Sequence, residues 1–142
     1  MKKIQQLLDE KGSRVWSIGP DATVYEALTL MAEKGIGALM VMDETRPVGL
    51  FSERDYARNV ILKGRSSRET PIREIMSTPV LCVTPDQPLE EAMALMTEHR
   101  VRHLPVIHEG QLMGMVSIGD LIKSMISEQQ FIIEQLEHYI SS

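Results

Sequence analysis

Apolar positions along the chain follow two rhythms, and the same succession of rhythms occurs twice. Val15, Trp16, Ser17 and Ile18 read as a short strand, closed by the turn signal Gly19-Pro20-Asp21. Val24, Ala27, Leu28, Met31 and Ala32 then recur at helical spacing, with Asp21 or Thr23 as the N-cap and Gly35 and Gly37 as the stop. Ala38 to Met42 is an apolar run too short for a helix and suited to a buried strand. A polar turn over residues 43–47 leads into a returning strand, Val48-Gly49-Leu50-Phe51, and Ser52 stands where the cap of a further helix belongs.

The order repeats downstream. Residues 80–83 predict a strand; Leu89, Met93, Leu95 and Met96 predict a helix; residues 104–107 and 113–116 predict a hairpin turning at Glu109-Gly110. Ser117 opens a last helix through Leu121, Ile122, Met125 and Ile126. Laid over itself with a shift of 65, the chain is identical at 15 of 47 positions, residues 15–61 against 80–126. That is several times what ordinary amino-acid usage produces by chance. The organisation expected is an N-terminal arm or helix at 1–14, one repeat at 15–62, a linker at 63–79, a second repeat at 80–127 and a helical extension at 128–142. Within the linker, residues 71–76 predict one helical turn. A unit of about 50 residues buries too little surface to be stable alone, so the two copies should share a core.

Composition narrows the function. With 15 basic and 20 acidic residues the net charge is −5, which disfavours non-specific binding to nucleic acid or an anionic membrane surface. No run approaches membrane-spanning or signal-peptide length, and Cys82 is the one cysteine, so no internal disulfide can form; a reduced, cytoplasmic protein is expected. His99, His103 and His108 lie close in sequence but straddle a helix end and a strand, so no metal site is expected. No nucleophile-elbow, zinc-protease or phosphate-loop spacing occurs. Cys82, in a predicted core strand, reads as a buried inert thiol. The ten methionines read as adaptable core filler.

The duplicated segment richest in chemistry is Gly49-Leu50-Phe51-Ser52-Glu53-Arg54-Asp55, matched by Gly114-Met115-Val116-Ser117-Ile118-Gly119-Asp120. Glycine permits close approach to the backbone, a helix start offers N–H groups to an anion, and Asp one turn in can accept hydrogen bonds from a vicinal diol. Ser-x-x-Asp is also an ordinary capping arrangement that serves only the helix. Both readings stand at this point.

With the two motifs, the runs Ile36-Gly37-Ala38-Leu39-Met40-Val41-Met42 and Val101-Arg102-His103-Leu104-Pro105-Val106-Ile107, and a Pro-Asp turn before each first helix, the chain resembles a CBS-domain pair, or Bateman module, over both copies. The resemblance implies an α+β fold of two βαββα units packed through their sheets about a pseudo-two-fold axis. It also implies two inter-repeat clefts for adenine nucleotides (AMP, ADP, ATP, NAD or S-adenosylmethionine) and a flat homodimer. Carried over by position, Asp55 and Asp120 match ribose-binding aspartates, and Ser52 and Ser117 match the hydroxyls beside the sugar or phosphate. The Asp55 cleft would draw Val101, Arg102 and His103 from the other repeat, with Arg54 as a further cation. The Asp120 cleft would draw Ile36, Gly37 and Ala38, none of them basic, and is expected to hold phosphate less tightly.

The function expected is a non-catalytic adenylate sensor acting on a separate, unidentified partner. The alternatives are a protein-interaction module with empty clefts, or a small enzyme using His103 as base. Two amphipathic ends, with Ile4, Leu7 and Leu8 at one and Ile126, Phe131, Ile132, Leu136, Tyr139 and Ile140 at the other, are expected to form a homodimer interface rather than to dock on their own module.

Overall fold

The computed structural model describes residues 2–141. Met1 and Ser142, which end the two terminal segments, lie outside the described residues. The first repeat comprises β1 (Ser17–Ile18), α2 (Val24–Lys34), β2 (Ala38–Asp43), β3 (Arg46–Ser52) and α3 (Glu53–Asn59), preceded by α1 (Ile4–Lys11). The second comprises α4 (Leu89–His99), β4 (His103–His108), β5 (Gln111–Ser117) and the 24-residue α5 (Ile118–Ser141). β2 and β3 pair antiparallel, and β1 adds parallel to β2; β4 and β5 pair antiparallel with the same internal register shift. Thr23 is the cap of α2, its hydroxyl accepting from the Glu26 N–H.

The strand expected at residues 80–83 shrinks to a single bridge, Val83 to Val106. In the first repeat the Met40 N–H donates to the Trp16 carbonyl. Pro105 occupies the equivalent place and has no N–H to give. What remains is the pair of bonds on Val83, its N–H donating to the Pro105 carbonyl and its carbonyl accepting from the Ile107 N–H. Cys82 accordingly lies outside a strand and is only partly buried.

Two apolar clusters hold the fold, and each is completed by the segment leading into the other repeat. Ile72 and Ile75, from the 3₁₀ turn Ile72–Glu74 and just beyond it, are buried with Val24, Leu39, Val41, Phe51 and Val60 of repeat one. Ile4, Leu7 and Leu8 of α1 are buried with Leu89, Leu104, Val106, Val116 and Leu121 of repeat two. Backbone bonds fix this exchange: Ile72 donates to Ala22 and Arg73 to Pro20, while Ile4 donates to Gln87 and Gln5 to Pro85. The supposed linker is therefore partly core. The N-terminal helix docks on its own module, contrary to the expected intermolecular role, because its apolar stripe is consumed within the chain. Met40, fully buried yet in neither cluster, alternates with Leu39 and Val41 and so faces the opposite side of its sheet. β3 meets β5 there, where the two repeats join.

Candidate functional site

Each Ser-x-x-Asp segment sits where a returning strand becomes a helix. The Ser52 hydroxyl accepts from the Asp55 N–H at 3.2 Å, and the Ser52 N–H donates back to Asp55 Oδ2 at 2.9 Å, a reciprocal capping box. Ser117 and Asp120 repeat it at 3.1 and 2.9 Å. The Glu53 N–H donates to the Gly37 carbonyl and the Ile118 N–H to the Arg102 carbonyl, which ties each helix start to the strand it faces. Two of the first N–H groups of α3 are thus engaged within the chain, so an anion at this corner must rely on side chains rather than on the bare helix start expected from the sequence. The motif glycines serve packing as well: Gly49 lies against Met76 and Gly114 against Leu8.

Two clefts flank the seam between the repeats. The larger, about 530 Å³, brings Ser52, Arg54 and Asp55 of repeat one together with Val101, Arg102 and His103 of repeat two. Asp55 Oδ1 accepts from the Ser77 hydroxyl at 3.1 Å, leaving acceptor capacity on a half-buried carboxylate. Arg54 donates to the Arg100 carbonyl, a contact that bridges the cleft. Arg100 caps α4 in the left-handed region at φ 54°, as Gly35 caps α2 at φ 64°. Arg54, Arg58, Arg100 and Arg102 give this wall a positive surplus over Glu53 and Asp55.

The smaller cleft, about 300 Å³, gathers Ile36, Gly37 and Ala38 of repeat one with Ser117 and Asp120 of repeat two. It is not without cations. Lys11 and Arg14 line it, together with Trp16 and His103, which correct the expectation of a wall lacking basic groups. Lys11 Nζ donates to Asp120 Oδ2 at 2.6 Å and to the Met115 carbonyl at 2.7 Å. Burial by itself raises the Asp120 carboxyl, but the Lys11 hydrogen bond, the Ser117 N–H and the Lys11 charge together hold it below the usual carboxylate range. His103 lines both clefts; burial pushes its imidazole below the ordinary histidine range, against the upward pull of Asp120 and Glu53. Lys11 and Arg14 escape a reading of repeats because they precede the first repeat, and the Lys11–Asp120 contact spans 109 positions. Ser77 and Arg58 likewise carry no motif.

A duplicated α+β unit with a cleft on each side of its seam defines a two-repeat module. The chain belongs to the CBS domain family, whose model matches residues 12–61 and 72–127. It is 39% identical over 134 residues to the CBS domain-containing protein CBSX3, mitochondrial, of Arabidopsis thaliana, covering 91% of this chain and 65% of that protein, so the plant relative is the longer of the two. The CBS domain-containing protein YhcV of Bacillus subtilis is 33% identical over 121 residues, covering 85% of this chain and 86% of that one. A protein with CBS domains from Burkholderia ambifaria has a solved structure that superposes with a TM-score of 0.86 at 50% identity, covering 90% of this chain and 96% of that one. CBS-domain pairs serve generally as regulatory, signal-transduction modules. Among the described residues no helix is long and apolar enough to cross a membrane, and no group of three or more His, Cys, Asp or Glu side chains is placed to hold a metal.

Proposed function

We propose that this protein is a non-catalytic sensor that binds an adenine nucleotide (AMP, ADP, ATP or NAD) in its inter-repeat clefts and signals through a change in repeat packing or self-association. The supporting observation is the larger cleft, where Asp55 offers a carboxylate beside a wall of arginines drawn from both repeats. The carboxylate suits a ribose diol and the guanidinium groups suit phosphate. Ligand that bridges both repeats shifts the balance between their arrangements only by binding one more tightly, and a cleft built from two halves provides that difference. Self-association fits the exposed apolar side chains of α5, where Ile126, Phe131, Ile132, Ile133, Leu136 and Ile140 are each roughly half exposed or more. A hexameric CBS-CP12 protein is among the structural neighbours, at 28% identity and a TM-score of 0.76.

Calorimetric titration with AMP, ATP and NAD tests this reading. Binding in the wild type, weakened at least tenfold by Asp55→Ala and less by Asp55→Asn, which keeps a capping acceptor, supports it. One observation favours the empty-cleft alternative: Ser52 and Asp55 already satisfy each other as a helix cap. No heat with any adenylate would select that interaction module instead. Adenylate turned over on long incubation would point to an enzyme using His103.

A further inference from the structure

The two aspartates stand in similar capping boxes but face different partners. Asp55 Oδ1 meets a neutral hydroxyl, that of Ser77, at 3.1 Å. Asp120 meets an ammonium, that of Lys11, at 2.6 Å, while the same ammonium is held by the Met115 carbonyl. Resting on the adenylate reading above, we infer that Lys11 is a specificity-determining residue: it makes the Asp120 cleft select ligands that carry both a vicinal diol and an anionic group, and reject the bare nucleoside.

The reasoning is one of partner exchange. A vicinal diol that donates to both carboxylate oxygens of Asp120 competes with Lys11 for Oδ2, and an ammonium parted from its carboxylate inside a half-enclosed cleft is left without a counter-charge. A phosphate on the same ligand supplies the replacement, with Arg14 three residues on as a second cation lining the cleft. Nucleoside brings no such anion. Inorganic phosphate brings no diol, and it meets an aspartate that still holds its lysine.

The local structure permits the exchange. α1 is anchored by Ile4, Leu7 and Leu8, all buried, and by the Ile4 and Gln5 N–H bonds to repeat two, so the backbone at Lys11 stays in place. The four-carbon stem at the last position of α1 leaves the ammonium free to swing from carboxylate to phosphate. Trp16 lines the same cleft, with the Arg14 guanidinium 5.1 Å from its ring, which sets an aromatic face beside the two cations.

The test is calorimetry on the full chain with adenosine, AMP and inorganic phosphate, in an Asp55→Ala background where the Asp120 cleft alone retains its aspartate. AMP is expected to bind at least tenfold tighter than adenosine there, and phosphate not measurably. Lys11→Met should weaken AMP and strengthen adenosine, bringing the two within about threefold; Lys11→Arg should restore the preference. An AMP-to-adenosine ratio unchanged by Lys11→Met overturns the proposal while leaving the adenylate reading intact. AMP binding to wild type but not to the Asp55→Ala background also overturns it, since the Asp120 cleft is then no site. Absence of adenylate binding to wild type overturns both. Retained helical circular dichroism in each variant, expected because the apolar anchors of α1 are untouched, separates these results from misfolding.

Discussion

Met76 lies across the bare backbone of Gly49: a Cβ built on that glycine would come within 2.8 Å of the Met76 Cγ and 3.0 Å of its Cβ. Gly114 stands in the same relation to Leu8, whose Cδ2 would be 2.7 Å away. Each glycine admits the segment that leads into the opposite repeat. The exchange of leading segments depends on this pair of missing side chains.

Gly49→Ala should therefore destabilise the protein by about 1–3 kcal/mol through overpacking. Gly114→Ala should cost less, because what it meets is chiefly the far end of a leucine rather than the root of a methionine. Urea midpoints at constant slope check both. The double variant Gly49→Ala, Met76→Ala should be less destabilised than the two single costs added together.

Removing the capping hydroxyls is a separate matter. Ser52→Ala and Ser117→Ala should each cost about 0.5–2 kcal/mol. The loss at Ser52 should be felt locally, since α3 has only seven residues and buries none of them. Amide exchange over residues 53–59 is expected to speed up in Ser52→Ala, with little change in α5, whose Leu121 and Ser124 are buried.

Acidification offers a third check. His103 is depressed in the native state, so below the ordinary histidine pKa the unfolded chain takes up a proton that the folded chain refuses. Stability should fall as pH drops from about 7 through the range just below 6.5 and level off under the native value. His103→Gln should flatten that segment of the curve. Asp120 acts lower on the scale: its contribution is present above the ordinary aspartate range and is lost as pH falls through its depressed native value. Lys11→Met should remove most of that low-pH dependence.

The C-terminal helix provides a fourth. Ile133 is 47% exposed and Leu136 56% exposed, and neither belongs to an apolar cluster of the fold, so the double variant Ile133→Glu, Leu136→Glu leaves the core intact. Light scattering after gel filtration should show a smaller species than wild type, with an unchanged urea midpoint for the monomer. Equal mass for the two proteins would remove α5 from the self-association proposed here.

Much of the fold was legible because duplication doubles every signal. Periodicity located α2 through the pattern Val24, Ala27 and Met31, and all three are buried as that spacing requires. The hairpins followed from apolar runs with turn residues between them. The strand at 80–83 was misread because pairing is decided by the neighbour: Val83 and its flanks look like a strand, but Pro105 on the adjacent strand withholds the donor that would extend the ladder. The cross-repeat pairings came from the resemblance to CBS-domain pairs alone; Arg102 lines one cleft with Asp55, and Gly37 lines the other with Asp120.

What the amino-acid order determined alone is most of the content of each half: its helices, its hairpin and the twin aspartates, all set by spacing and by residues within a few positions of one another. Only tertiary structure decided what meets those aspartates. The leading segments cross over, so α1 packs on the far repeat and delivers Lys11 to Asp120, whereas the segment ahead of repeat two delivers Ser77 to Asp55. Two halves built to one pattern thereby acquire different electrostatics, because charge acts through space and the ammonium that meets Asp120 lies 109 positions away along the chain.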